Sequence, residues 1–205
     1  MTKKLKPNYE LYAITALVLF TATALYVETV GMPDYEVAAF RNMYELPIAW
    51  KQAMLLITML GSSWMVVAIT LGLFTVRKTR LAVYILTIGI ATYAASEVTK
   101  YLVARPRPFM LLEGVASREP FVSGMGFPSG HTAVATAVSL ILMPYLPKSR
   151  RWIVPVWICL VAISRVYLGV HAPFDVLGGF LLGVVISQLF WLSKPEIRKW
   201  FKRLK

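Results

Sequence analysis

Six stretches of this chain carry no charged side chain, and their lengths decide what the rest of it can become. Leu11 to Val27, Gln52 to Val76, Leu81 to Ser96, Thr132 to Pro147, Trp152 to Ser164 and Val176 to Ser193 run without an Asp, Glu, Lys or Arg. About 20 apolar residues in a helix cross the hydrocarbon core of a bilayer, and the shorter runs reach that length with their flanking residues. Backbone at that depth finds no water, so each run must bond within itself as a helix. The expectation is an all-α, integral-membrane bundle of six transmembrane helices, a single domain spanning 1–205. Hydrophobic residues make up 58% of the sequence, which exceeds the roughly 45–50% of soluble domains. The first run is read as an uncleaved span, because it continues through Leu25, Tyr26 and Val27 beyond the small-residue tripeptide Ala22-Thr23-Ala24.

The formal net charge of +12 would suit nucleic acid if it were gathered into one patch. Instead the charges punctuate the apolar runs, so no nucleic-acid partner is expected. Lys3, Lys4 and Lys6 precede the first run; Arg77, Lys78 and Arg80 join the second to the third; Lys148, Arg150 and Arg151 join the fourth to the fifth; the tail adds Lys194, Arg198, Lys199, Lys202, Arg203 and Lys205. Short cytoplasmic loops carry such an excess of Lys and Arg. A multi-pass protein of the cell (inner) membrane is expected, with both termini cytoplasmic. The other side then holds the segments from about Glu28 to Lys51, Ala104 to Phe127 and Gly169 to Pro173, and the polar motifs described next lie at or beside the last two, so a site built from them faces away from the cytoplasm. Asp34 to Trp50 sets Val37, Phe40, Tyr44 and Ile48 at helical spacing between Glu36, Arg41 and Glu45, which fits an interfacial amphipathic helix or a surface loop. Trp50, Trp152, Trp191 and Trp200 suit interfacial belts. The single Cys159 sits in an apolar run, so a disulfide within the chain is excluded and a small core or lipid-facing role is expected.

Three polar clusters interrupt this apolar background. Lys100 is followed by Arg107-Pro108; Pro128-Ser129-Gly130-His131 opens the fourth run; Ser164-Arg165 is followed by His171 and then Asp175. A phosphoryl group in transfer spreads charge over its equatorial oxygens, so fixed cations are what a catalyst must supply. Lys100, Arg107 and Arg165 supply three from separate segments, and guanidinium forks match phosphate oxygens. Ser129 and Gly130 stand where a helix begins, where unpaired N–H groups and the helix dipole attract anions. Arg165 follows thirteen uncharged residues, and an ionisable group at such depth marks a polar pocket.

Both histidines of the chain fall inside these clusters. If Pro173 begins the last helix, Asp175 lies one turn in and is placed to accept the Nδ1–H of His171, which frees Nε2 to attack phosphorus. His131 is then the proton donor for the leaving oxygen. Glu97, three residues before Lys100, shares its helix face and is a candidate to orient it; an interface carboxylate is the alternative. Arg105 and Arg118 are the remaining basic residues near the clusters and read as solvated loop charges or headgroup contacts. No metal-binding spacing occurs.

The pattern K-x6-R-P, P-S-G-H and S-R-x5-H-x3-D resembles the three-part signature of the type-2 phosphatidic acid phosphatase superfamily, the lipid phosphate phosphatases, over Lys100 to Asp175. The resemblance implies that His171 becomes a phosphohistidine, that His131 protonates the leaving group and that Asp175 orients the nucleophile. It implies that Lys100, Arg107, Ser129, Gly130 and Arg165 hold the phosphate, and that water attacks the intermediate with no metal or cofactor. The expected partners are a lipid phosphate substrate and membrane lipids. Undecaprenyl diphosphate and phosphatidylglycerophosphate suit an outward-facing site best, with no sequence feature to separate them. Two alternatives stand beside hydrolysis: transfer of the phosphate to a lipid acceptor, and an anion or lipid transporter lined by the same cations.

Overall fold

The computed structural model describes residues 8–203, with side chains through Ser193. Lys3, Lys4, Lys6 and Lys205 of the charge argument lie outside the described residues, and the side chains of Lys194 to Arg203, Trp200 among them, are not described. Nine α-helices follow one another with no strand among the described residues: α1 Tyr9–Val30, α2 Asp34–Tyr44, α3 Lys51–Leu60, α4 Ser63–Thr75, α5 Thr79–Val103, α6 Pro108–Leu111, α7 Gly130–Leu142, α8 Ile153–Tyr167 and α9 Pro173–Arg203.

Each boundary has a local cause. Asn8 caps α1 by accepting the Leu11 N–H at 3.1 Å, and Gly31 ends it with φ 75°, a conformation that suits a residue lacking Cβ. The Arg-Pro-Arg-Pro run after α5 cannot continue a helix, because Pro106 removes a donor and biases Arg105 toward an extended backbone. At the start of α9, Pro173 takes the first helical position and Asp175 accepts the Ala172 N–H at 2.8 Å, the backward half of a capping box.

Three segments are long and apolar enough to cross a membrane: Tyr9–Val30, the Thr79–Leu111 stretch and Pro173–Ser193. A fourth arises if α3 and α4 count as one span bent by 55°. The uncharged run from Gln52 to Val76 is therefore not one straight helix. It breaks at Gly61-Ser62, where a Cβ on Gly61 would stand 2.7 Å from Cγ1 of Val161 on α8, and where the Ser62 hydroxyl donates to the Met59 carbonyl at 2.6 Å. With 13 and 15 residues, α7 and α8 reach only about 20 Å at 1.5 Å per residue, short of a full crossing by helix alone.

The helices pack around α7 and α9. Val66, Ile85, Ile88, Val134, Ala137, Val138, Ile141 and Phe190 form the main apolar core between α4, α5, α7 and α9. Close approach of α7 to α9 depends on a small-residue stripe, Gly179 and Gly183: a Cβ on Gly183 would lie 2.6 Å from the Ala133 carbonyl. Outward faces stay apolar, with Leu11, Ile14, Val18 and Leu25 of α1 all exposed, as lipid contact requires. Tyr9 at the start of α1 stacks on Trp191 near the far end of α9. At the other end of the bundle, the Gly31 carbonyl after α1 meets Arg105 after α5. That end gathers the C-terminal ends of α1, α5 and α8 and the N-terminal ends of α7 and α9. The Arg77–Arg80 and Lys148–Arg151 turns therefore lie at the opposite end, with the described chain ends.

Helix α2 resolves the choice at Asp34 to Trp50 in favour of a helix, but a shorter one, with Ile48 exposed beyond its end. Phe40 is buried as its spacing predicts. Glu36 is buried as well. Its partner is Arg105, 69 residues away.

Candidate active site

At the end of the bundle remote from the described termini, one cavity of about 320 Å³ is lined by Lys100, Arg107, His131, Arg165 and His171 together. They arrive from the end of α5, the Arg-Pro turn, the first turn of α7, the last turn of α8 and the α8–α9 loop. The break between α3 and α4 completes the wall through Gly61, Ser62 and Ser63; irregular backbone at membrane depth is tolerated where it borders a polar cavity.

Each cation is held by a different device. Lys100 Nζ donates to Glu97 Oε1 at 2.6 Å. Arg107 is buried and spends its donors on the carbonyls of Ser123, Gly124 and Val170, each at 2.9 Å. Arg165 donates through Nη1 to the Thr58 hydroxyl at 2.6 Å and forms an ion pair through Nη2 with Glu119 Oε2 at 2.8 Å. Its Nε is buried with no partner. A Cβ on Gly130 would crowd the Ser96 hydroxyl at 3.2 Å and stand in ordinary contact, 3.8 Å, with Lys100 Nζ.

His171 lies in the loop between α8 and α9, 2% exposed. Gly169, at φ 77°, lets the chain leave α8 in a left-handed turn. Arg107 Nη1 stands 3.4 Å from His171 Nε2. A guanidinium has donors only, so Nε2 is the acceptor, its lone pair faces the cavity-lining arginine, and the ring proton belongs on Nδ1. Nδ1 faces Asp175 Oδ2 at 3.5 Å, too far for a good hydrogen bond, and the Gly126 backbone beside the ring also favours its protonated form. Burial, then the charges of Arg107, Arg165 and Lys100, hold the His171 pKa well below the ordinary 6.5. The ring is therefore neutral near pH 7.

Three expectations change in the folded chain. The Ser129 N–H does not face the cavity; it donates to the Asp175 carbonyl at 2.8 Å, tying α7 to α9, and Ser129 is fully buried. Gly130 does line the cavity. Arg105 is no solvated loop charge: 3% exposed, it donates to Asp175 Oδ1 at 2.7 Å and to Glu36 Oε2 at 2.5 Å. Arg118 lies over the rings of Tyr44 and Tyr167, 4.0 and 4.5 Å from their centroids, a cation–π sandwich that fixes the loop after α6. Glu36, Thr58 and Glu119 carried no assignment in the sequence. Glu36 alone left a trace, standing four residues before Phe40 on the apolar face of α2. Among the described residues, no three His, Cys, Asp or Glu side chains gather to hold a metal ion.

The chain is 31% identical over 179 residues to an undecaprenyl-diphosphatase of Sulfolobus acidocaldarius, covering 84% of this chain and 86% of that one. It is 32% identical over 203 residues to phosphatidylglycerophosphatase B of Bacillus subtilis, covering 91% and 94%. The crystal structure of a transmembrane PAP2-type phosphatidylglycerolphosphate phosphatase from Bacillus subtilis superposes with a TM-score of 0.75 at 31% identity, over 90% of this chain and 96% of that one. The PAP2 superfamily model matches residues 79–199, the stretch holding all three polar clusters and most of the cavity wall, and the chain belongs to that superfamily.

Proposed function

We propose that this chain is a six-span membrane phosphatase that removes phosphate from a lipid phosphate or diphosphate through a phosphohistidine on His171. The observation that carries the reading is the meeting of two histidines and three cations in one cavity at the bundle end remote from the described termini. In the first step the Nε2 lone pair forms an N–P bond while the P–O bond to the lipid breaks. The departing oxygen takes a proton from His131. In the second, water forms a new P–O bond as the N–P bond breaks, and His131 takes up the water proton. Lys100, Arg107, Arg165 and the start of α7 at Gly130 balance the charge on the phosphoryl oxygens, with no metal ion.

Residues 1–205 act as one unit. The α7 and α8 segments complete the six crossings with their flanking turns, and the basic loops at the far end place that end in the cytoplasm. The cavity then opens on the outer side of the cell membrane. An apolar groove of about 290 Å³ shares Gly61, Ser62 and Val134 with it, a path for the hydrocarbon tail. The names of the relatives support undecaprenyl diphosphate or phosphatidylglycerophosphate as substrate. Purified chain in detergent should release inorganic phosphate from one or both, and EDTA should leave the rate unchanged. Flux without hydrolysis, transfer to a lipid with no release, or activity restored only by a divalent metal would each overturn this reading.

A further inference from the structure

The buried cluster behind the cavity is the least expected feature of the molecule. Glu36, Arg105 and Asp175 are 1%, 3% and 0% exposed, and they join four parts of the chain: the end of α1, the side of α2, the Arg-Pro turn and the first turn of α9. A carboxylate beside a free guanidinium usually takes both arms of the fork. Asp175 does not. Arg105 gives it Nη1 alone, on Oδ1, because Nη2 is engaged by Glu36 Oε2 and by the Gly31 carbonyl at 2.8 Å. Glu36 is itself anchored at the same helix start, accepting the Phe174 N–H at 2.8 Å. Asp175 Oδ2 is thereby left to the Ala172 N–H and to the face of His171 Nδ1.

From this geometry we infer that Glu36 and Arg105 are positioning residues, which hold Asp175 by one oxygen so that the other is free to orient and charge-balance His171. The inference rests on the proposed role of His171. It also follows from charge: the three buried groups sum to minus one when ionised, and a ring phosphorylated on Nε2 with its proton on Nδ1 carries plus one. Without Glu36, Arg105 Nη2 keeps only the Gly31 carbonyl and is free to turn toward Asp175 Oδ2, where it competes with His171 Nδ1.

The test uses the purified full chain and two inhibitors that part company at the nucleophile. Vanadate gains a bond to Nε2 as it becomes five-coordinate; inorganic phosphate needs only the cation cradle. Glu36→Ala should lower kcat by about 10- to 100-fold, the scale of a misplaced reacting group, with KM little changed. The inhibition constant for vanadate should rise in step and that for phosphate should hold. Glu36→Gln keeps an acceptor for Arg105, so it should lose less, with the same split. It also covers the case in which the alanine variant does not fold. Parent-like kcat in either folded variant overturns the inference, as does a parallel rise of both inhibition constants, the mark of a loosened cavity. A parent chain that neither releases phosphate nor binds vanadate would instead overturn the functional reading beneath it.

Discussion

Both histidines line one cavity, yet the account gives them different work, and leaving groups separate the two. His131→Ala should keep far more of its activity on aryl phosphates, whose oxygens leave without a proton, than on alkyl phosphates; about 10²–10⁴-fold is the usual worth of a general acid. His171→Ala should lose both equally. Identical leaving-group dependence in the two variants would refute the assignment. The second consequence is in the pH profile. In the proposed mechanism His171 attacks as the neutral ring, and burial plus three cations hold its pKa below 6.5. Its nucleophilic form is thus still dominant at pH 6.5, where an ordinary histidine is half protonated, and fails only as pH falls through the depressed value. The acid limb of kcat/KM, which reports the free enzyme, should lie below 6.5, and a limb at or above 6.5 assignable to His171 would contradict the electrostatics.

Among the elements, the contact of α7 with α9 is the one whose disruption should propagate to the site, because it aligns the Gly130 end of one helix with the His171–Asp175 end of the other. Gly183→Leu drives a side chain into the Ala133 carbonyl and the methyl of Thr136. Overpacking of this kind costs about 1–3 kcal/mol. A lowered Tm in detergent should accompany lower activity; an unchanged Tm would show that the two helices do not depend on this approach. Much of this layer was legible in the sequence: each of the long helices α1, α5 and α9 contains one of the uncharged runs, α7 opens at Ser129-Gly130, and Pro173 begins α9 with Asp175 in its first turn. Local pattern failed where a long-range partner decides. Nothing near Arg105 announces Glu36 from α2, and the run from Gln52 to Val76 reads as one helix until Val161 shows why Gly61 must bend away. The Ser129 N–H looked free for the same reason, since its acceptor is the carbonyl of Asp175, across a helix interface.

At the scale of the whole molecule, the proposed topology puts the cavity and the basic turns on opposite faces of the membrane. In a chain with Cys159→Ala, Ser123→Cys beside the cavity should react with a membrane-impermeant maleimide on intact cells, and Ser149→Cys in the basic turn should not. Both positions are exposed, so reversal of that pattern would invert the topology. The central claim, a phosphoryl group carried on His171, has the most direct test. Chain mixed with a phosphate-labelled lipid substrate and quenched in alkali within a turnover should hold label that is alkali-stable and acid-labile, mapped to the peptide containing His171 and absent from His171→Ala. Turnover at full rate with label on another residue, or with phosphate release persisting in His171→Ala, would contradict it.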